Sequence, residues 1–309
     1  MLNRRKFIKE TSLAAGALLS SAMLPASAAQ QQHHLTVLHT NDVHSRLEPF
    51  PMDGGRYQGL GGVAARGTII SGIRSEEENV LLLDAGDIFQ GTPFFNVYKG
   101  EPEIKAMSLL GYDAATLGNH DFDGGLDNLA IQLQHATFPI VISNYDFTGT
   151  PMEGKTKPYQ VFNKGFLRVG VFGIGIELKG LVPENLYGKT IYQDPVIRAN
   201  EVADVLKNQQ GCDMIICLSH LGYQYTHDKI SDEVLAQRTQ NIDLIIGGHT
   251  HTFLEAPVSY KNSVNKEVLV NQVGWAGINV GRIKYTFGDT KKNIFTKANT
   301  VVVQKKTNI

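Results

Sequence analysis

The sequence predicts an α/β fold, and three observations support this prediction. Short apolar runs alternate with longer amphipathic stretches, which is the pattern of strands that are each followed by a helix. Apolar residues make up 42% of the 309-residue chain and charged residues 19%, which excludes a disordered chain or a coiled coil. Two cysteines are too few for a disulfide framework, so a hydrophobic core must stabilise the fold. The net charge of −1 gives no electrostatic basis for a nucleic-acid partner.

The predicted elements follow one another in a regular order along the chain. The first half has apolar strand-like runs at 35–39, 80–84, 114–117 and 139–142. Amphipathic helices are predicted at 60–74, 101–110 and 126–135. The second half has strands at 167–172, 213–218 and 243–246, helices near 196–208 and 229–239, and three final strands at 267–273, 280–287 and 294–303. No linker rich in Pro, Gly or Ser divides these elements, so a single domain is expected.

The first 28 residues are typical of an export signal. A basic start that includes Arg4 and Arg5 precedes a short apolar stretch and the small residues Ala26-Ser27-Ala28, where cleavage is expected. The paired arginines indicate the twin-arginine route. The apolar stretch is shorter than the ~20 residues that span a bilayer, so no membrane anchor is expected. We therefore predict a signal peptide at 1–28, one domain at 29–309, and a periplasmic or secreted bacterial protein.

Five polar motifs directly follow predicted strands. They are Asp42-Val-His44, Gly86-Asp87, Gly118-Asn119-His120-Asp121, Ser219-His220-Leu-Gly222 and Gly247-Gly-His249-Thr-His251. Each motif alone is a weak signal, because turns and packed histidines are common. In open α/β sheets, however, the carboxyl ends of the strands form the edge at which ligands bind. The five motifs are therefore expected to converge on one site.

The donor atoms in these motifs point to metal ions. Seven side chains offer oxygen or imidazole donors without a thiolate: Asp42, His44, Asp87, Asn119, His220, His249 and His251. Such a set suits Zn²⁺, Mn²⁺, Fe²⁺ or Co²⁺. Seven donors exceed the need of one tetrahedral ion, and a shared carboxylate would divide them into two sets of four. Two ions ~3.5–4 Å apart can stabilise the attacking and leaving oxygens of a displacement at phosphorus.

The motifs resemble those of the calcineurin-like metallophosphoesterase superfamily, and within it the catalytic domain of the 5′-nucleotidase family. The closer match is carried by Leu38-His-Thr-Asn-Asp-Val-His44, Gly86-Asp-Ile-Phe-Gln-Gly91, Gly118-Asn-His-Asp-Phe-Asp123 and Gly248-His-Thr-His251. The resemblance implies a four-layer α/β/β/α sandwich of two mixed β-sheets flanked by helices, with 29–309 as the catalytic domain. It implies one divalent metal ion on Asp42, His44, Asp87 and His251, and a second on Asp87, Asn119, His220 and His249. Asp87 would bridge the two ions.

The resemblance also implies roles for residues that do not bind metal. His120 would face the phosphate and stabilise the leaving oxygen, and Asp123 would hold its imidazole and favour the cationic form. A hydroxide that bridges the two ions would attack phosphorus in line. Asn144, just after the predicted strand 139–142, is a candidate substrate contact, and a turn asparagine is the alternative reading.

The implied activity is that of an exported, 5′-nucleotidase-like phosphoesterase acting on small phosphate esters, nucleotides among them. Full-length members of the family carry a second, nucleoside-binding domain, whereas this chain stops at Ile309, about where the linker would begin. A separately encoded C-terminal nucleotidase domain is therefore a candidate partner. Two alternatives stay open. One is a related dimetal hydrolase of thiosulfate esters or nucleotide sugars, and the other is a non-catalytic metal-binding subunit of a separate nucleoside-binding domain.

Overall fold

Two β-sheets face each other at the centre of the molecule. The structure, a computed structural model, describes residues 32–304, so the predicted signal peptide at 1–28 lies outside the described residues. Within this range every helix is too short or too polar to cross a bilayer.

The first sheet has five strands in the order β13-β12-β1-β2-β3. Their bounds are β1 His33–Thr40, β2 Val80–Asp84, β3 Ala114–Ala115, β12 Asn279–Phe287 and β13 Asn293–Val302. The strands β1, β2 and β3 are parallel, whereas β12 runs antiparallel to both β1 and β13. The first strand of the domain is therefore held between β2 and a strand from the other end of the described chain.

The second sheet has six strands in the order β10-β11-β9-β8-β6-β5. Their bounds are β5 Tyr159–Lys164, β6 Leu167–Ile174, β8 Met214–Ser219, β9 Leu244–Gly247, β10 Val258–Lys261 and β11 Glu267–Asn271. The four central strands are parallel, and the edge strands β5 and β10 are antiparallel to their neighbours. A small ribbon pairs β4 Tyr145–Asp146 with β7 Ile191–Tyr192.

Within residues 32–304, seven α-helices connect and cover the strands. They are α1 Val63–Glu76, α2 Pro93–Tyr98, α3 Glu101–Leu110, α4 Gly125–Gln132, α5 Glu184–Tyr187, α6 Pro195–Asp204 and α7 Asp232–Arg238. Local sequence explains several of their ends. Asp194 caps α6 by accepting the N–H of Ile197 (2.9 Å), and Gly111 ends α3 with a φ of 70°, which a glycine adopts without strain.

Three hydrophobic clusters divide the molecule into four layers. Residues that alternate along the strands, such as Leu81 and Val171, fill the space between the sheets. On the outer face of the first sheet Leu82 packs in a cluster with Ile70 of α1, and on that of the second sheet Phe172 packs in a cluster with Leu235 of α7. Strands buried on both faces read as continuous apolar runs, which is why the sequence reveals them. The four-layer sandwich of two mixed sheets flanked by helices is confirmed.

The structure corrects one predicted strand and adds several elements. Residues 139–142 form no strand of the sheets; single bridges join Ile140 to Ala115 and Val141 to Lys157. The segment begins with Pro139, which has no N–H to donate, and its two bridges go to different segments instead of continuing along one neighbour. The strands β5 and β10 and the helix α2 were not predicted, because they are short and only partly apolar.

Candidate metal centre

The carboxyl ends of parallel strands from both sheets meet at one edge of the sandwich. The loop after β1 brings Asp42 and His44, and the loops after β2 and β3 bring Asp87 and Asn119. The loops after β8 and β9 bring the other three histidines, which are His220, His249 and His251. Backbone hydrogen bonds join neighbouring loops, from Asp42 N to Gly86 O (2.9 Å) and from His44 N to Asp87 O (3.0 Å). The five motifs therefore converge as the sequence predicts.

The backbone at this edge is held in an unusual conformation. Five of the seven predicted ligands have a positive φ, between 50° and 71°: Asp42, His44, Asp87, His249 and His251. Non-glycine residues adopt this region rarely, and such strain concentrates at functional sites. Glycines let the loops approach closely, since a Cβ on Gly118 would lie 2.2 Å from Asp87 Oδ1.

The first group of donors consists of Asp42, His44, Asp87 and His251, whose ligand atoms all lie within 4.8 Å of one another. Nε2 of His44 is 3.0 Å from Nε2 of His251, which in turn is 3.4 Å from Asp42 Oδ1. Two imidazole nitrogens and a carboxylate oxygen that face one point in this way can share one cation. This group fits a divalent metal ion.

The second group contains Asp87, His220 and His249, and Asn119 joins it. Asn119 Oδ1 lies 2.8 Å from His249 Nδ1. His220 is fully buried, and its Nδ1 donates a hydrogen bond to Ala85 O (2.7 Å), which leaves Nε2 with a lone pair directed at the site. Nε2 makes no hydrogen bond within the described residues. A buried imidazole nitrogen that faces a carboxylate oxygen without a formal hydrogen bond leaves a place where a cation can bind between the two, so the group fits a second ion.

Asp87 belongs to both groups. Its Oδ2 lies 3.1 Å from His220 Nε2 and 3.8 Å from His44 Nε2, while Oδ1 accepts the N–H of His120 (2.8 Å). Burial alone would raise the pKa of this carboxyl, but the facing His220 and His44 outweigh it and hold the pKa below its usual range. Burial would likewise lower the pKa of His220, yet Asp87 and Asp42 raise it to about 10. The two carboxylates therefore favour a positive charge beside them, which is a proton on His220 when no metal ion is bound and would be the metal ion when one is.

His120 and Asp123 form a pair beside the first group. His120 Nδ1 lies 2.8 Å from Asp123 Oδ2, and its ring centroid is 5.3 Å from that of His44. The hydrogen bond to Asp123 raises the pKa of His120, although partial burial opposes the shift. The His120 side chain is 38% exposed, so it can meet a molecule that enters from solvent.

The structure buries Asn144 and pairs it with the backbone. The side chain is fully buried, and its amide makes two hydrogen bonds to the backbone of Gly175, at 2.7 and 2.8 Å. This pairing joins the segment after 139–142 to the end of β6. The substrate contact at Asn144 stays a prediction, and the observed bonds give the residue a structural role.

Sequence reasoning assigned no role to Asp121, which organises two of the loops. Its buried carboxylate accepts backbone N–H groups from the two glycine-containing turns after β2 and β3, at 2.8–3.1 Å: Asp87, Ile88, Phe89 and Gly118. The four bonds fix the turn that presents Asp87. An acid directly after the His120 position was visible in the motif, but only the fold shows which amides it reaches.

A sixth segment at the same edge was also missed. It follows β11, which is parallel to β9, and it contains Gln272 and Trp275. Gln272 donates to Gly248 O (2.5 Å) and accepts from Thr250 Oγ1 (3.1 Å), so it holds the loop that carries His249 and His251. The rule that polar residues after parallel strands face the site would have found it, had the strand been assigned to this sheet.

Comparison with known proteins agrees with this geometry. Residues 35–253 match the model of the family described as calcineurin-like phosphoesterase. The chain is 37% identical to a snake venom 5′-nucleotidase of Naja atra, over 88% of this chain and 54% of that protein. It is 36% identical to a 5′-nucleotidase of Rattus norvegicus, over 90% of this chain and 50% of that protein. The solved structure of a 5′-nucleotidase precursor from Thermus thermophilus superposes with a TM-score of 0.78 at 34% identity, covering 88% of this chain and 55% of that one.

The chain thus spans about half the length of the curated relatives it matches, and these relatives are 5′-nucleotidases. The family match covers more than two thirds of the residues and includes all seven predicted metal ligands. The convergent donors and this match together show that the chain belongs to the calcineurin-like phosphoesterase family.

Proposed function

We propose that this protein is an exported phosphoesterase that hydrolyses phosphate esters, nucleotides among them, with two divalent metal ions. The observation that carries the proposal is the sharing of Asp87 between two groups of donors. A single shared carboxylate sets two ions close enough to act on one phosphate. The family and the 5′-nucleotidase relatives support the same chemistry.

The donor set fits Zn²⁺, Mn²⁺, Fe²⁺ or Co²⁺, because it offers imidazole and oxygen atoms only. We assign Asp42, His44, Asp87 and His251 to one ion, and Asp87, Asn119, His220 and His249 to the other. When bound, the two ions would supply Lewis-acid activation of water and neutralise charge on the phosphate.

The chain's own residues provide orientation and proton control. The backbone bonds that Asp121 accepts hold the Asp87 turn in place, so the donors are preorganised rather than recruited on binding. The hydrogen bond to Asp123 raises the pKa of His120 and favours its cationic form, which can stabilise negative charge on the departing alcohol oxygen. Water adds to phosphorus as the ester P–O bond breaks, and the alcohol leaves with a proton.

Selection among nucleotide bases requires contacts other than those that act on the phosphate. Several aromatic rings in segments that follow β1, β2 and β11 are engaged with one another: Phe50, Tyr57 and Trp275 form one cluster, and Phe94 stacks on Tyr98. Rings that pack together are less available to stack on a base. We therefore propose that residues 29–309 by themselves bind the nucleoside weakly, and that a nucleoside-binding domain would lower KM for nucleotides.

A direct assay on purified residues 29–309 tests the proposal. Metal analysis should give two ions per chain, and phosphate should be released from AMP, GMP, UMP and a nitrophenyl phosphate. Removing the ions with a chelator should abolish release, and Mn²⁺, Co²⁺ or Zn²⁺ should restore it. Failure to release phosphate from all four esters in the metal-loaded protein would favour the non-catalytic subunit. Tight, base-selective hydrolysis would instead reject the weak nucleoside binding proposed above.

A further inference from the structure

His251 lacks the hydrogen bond that orients other ligands of the centre. Nδ1 of His44 faces Phe89 O at 3.3 Å, and Nδ1 of His220 donates to Ala85 O at 2.7 Å. Bonds of this kind normally fix the ring of a metal-binding histidine. Within residues 32–304 the structure shows no hydrogen bond to Nδ1 of His251, whose side chain is also 38% exposed. Packing contacts can supply the orientation instead.

An indole ring lies parallel to this imidazole and offset from it. The rings of His251 and Trp275 are nearly parallel, with an interplanar angle of 5° and centroids 5.7 Å apart. This distance and angle describe an offset stack, which is a favoured arrangement of aromatic rings. The stack restricts rotation of the imidazole while leaving Nε2 directed at His44 and Asp42.

Trp275 is itself firmly placed. The rings of Phe50 and Tyr57 meet it edge-on, with centroid distances of 5.8 and 6.1 Å. The next residue along the chain, Ala276, donates its N–H to the carbonyl oxygen of Asp42 (2.7 Å). The residue next to Trp275 is thus hydrogen-bonded to the backbone of Asp42, while the indole itself stacks on His251.

We propose that Trp275 is a positioning residue that holds His251 in the geometry needed to bind one of the two ions. The inference rests on the two-ion site of the proposed function. An imidazole that binds a cation becomes electron-poor, so its attraction to the electron-rich indole face increases. Trp275 therefore stabilises the metal-bound form of the first group, whereas the second group, which does not contain His251, is independent of it.

The protein contains a single tryptophan, which makes the contact directly measurable. Adding Zn²⁺ to the metal-free protein should change the emission of Trp275 in a saturable way. In His251→Ala the change should disappear, and in His249→Ala it should persist, because only the first group touches the indole. Emission that does not respond to Zn²⁺ in the wild-type protein while two ions bind would overturn the inference.

Substitution of Trp275 gives a second, independent test. In Trp275→Ala the affinity for one of the two Zn²⁺ ions should fall about 10- to 100-fold, the usual effect of removing a residue that supports a ligand. Affinity for the other ion should stay at the wild-type value. Trp275→Phe keeps an aromatic face and should restore most of the loss. Phe295→Ala, which removes an exposed ring on β13, is the matched control and should bind both ions normally.

The outcomes separate this inference from the proposed function. If wild-type protein binds two Zn²⁺ ions and Trp275→Ala binds both with unchanged affinity, the positioning role is rejected and the proposed function stands. Equal loss of both ions in Trp275→Ala would also reject it, because the effect would then be general. If the wild-type protein binds fewer than two ions, the two-ion site fails, and the inference fails with it.

Discussion

At the scale of single residues, one carboxylate oxygen of Asp87 faces both groups of donors. Since Oδ2 lies near His44 and His220 at once, an amide in its place would remove the charge that two cations share. We expect Asp87→Asn to lower the affinity for both ions at least about 10-fold and to lower phosphate release with it. Metal content after dialysis against a buffered ion concentration, together with steady-state rates, measures both effects.

The control for this change is Asp127→Asn, which makes the same substitution on the exposed side of α4. That variant should keep both ions and wild-type turnover. If Asp87→Asn also keeps two ions per chain and normal turnover, Asp87 does not bridge, and the division of donors into two groups is wrong.

His120 offers a test that separates catalysis from metal binding. His120→Ala should lower kcat by roughly 10²–10⁴-fold while both ions stay bound, because a positioned acid or charge stabiliser is lost but no ligand is. Asp123→Asn should lower kcat less, since the imidazole remains but loses the carboxylate that favours its cationic form. Rates and metal content should be measured on the same preparations. Loss of an ion in His120→Ala would identify His120 as a ligand instead.

At the scale of elements, the strand β1 carries a buried histidine outside the metal centre. Nε2 of His39 accepts a hydrogen bond from Nδ2 of Asn271 (2.9 Å), which links the first sheet to the end of β11 in the second. Burial lowers the pKa of His39 to about 3. Below pH 6.5 His39 binds a proton in the unfolded chain but not in the folded chain. The stability that depends on its neutral form is therefore fully present above pH 6.5 and is lost as the pH falls toward 3.

We therefore expect the free energy of unfolding to decrease more steeply with acid in the wild-type protein than in His39→Gln. The difference in slope should be about 1.4 kcal/mol per pH unit between about pH 6 and 4. Urea unfolding of the metal-free proteins over this range measures it, because the other titrating groups are common to both. His34→Gln, at an exposed position of the same strand, should keep the wild-type slope. Parallel slopes for wild type and His39→Gln would show that His39 binds a proton in the folded state.

The burial and pairing of the strands determine how much of the fold and of the site the sequence predicts. Strands such as β2 and β8 are apolar on both faces, so a short continuous run reveals them, and a polar motif after each marks the binding edge. The segment 139–142 is equally apolar but makes only single bridges, a distinction that depends on neighbours far away in sequence. The roles of Gln272 and Trp275 are not visible in the sequence, because they depend on the loop and the ring that these side chains contact. The pairing of β11 with β9 determines those contacts.

At the scale of the whole molecule, the predicted export signal yields a test that is independent of the site. Replacing Arg4 and Arg5 together by lysine should retain the protein in the cytoplasm, because the twin-arginine route reads the arginine pair. Fractionation of cells followed by metal analysis should find folded, metal-loaded protein inside. Lys6→Arg, which keeps the charge of the same region, should be exported like the wild type. Export of the double variant at the wild-type level would point to another route.

The pairing of β1 with β12 also determines when the centre can form. β1 is among the first strands to leave the ribosome, yet one of its edges is completed only by residues 279–287, and the carbonyl of Asp42 is bound by Ala276. A nascent chain cannot fix its first ligand loop until residues 276–287 have also been translated. Ion capture must therefore follow the synthesis of this late segment. The cations that load this centre are consequently those available in the compartment where the two distant segments come together.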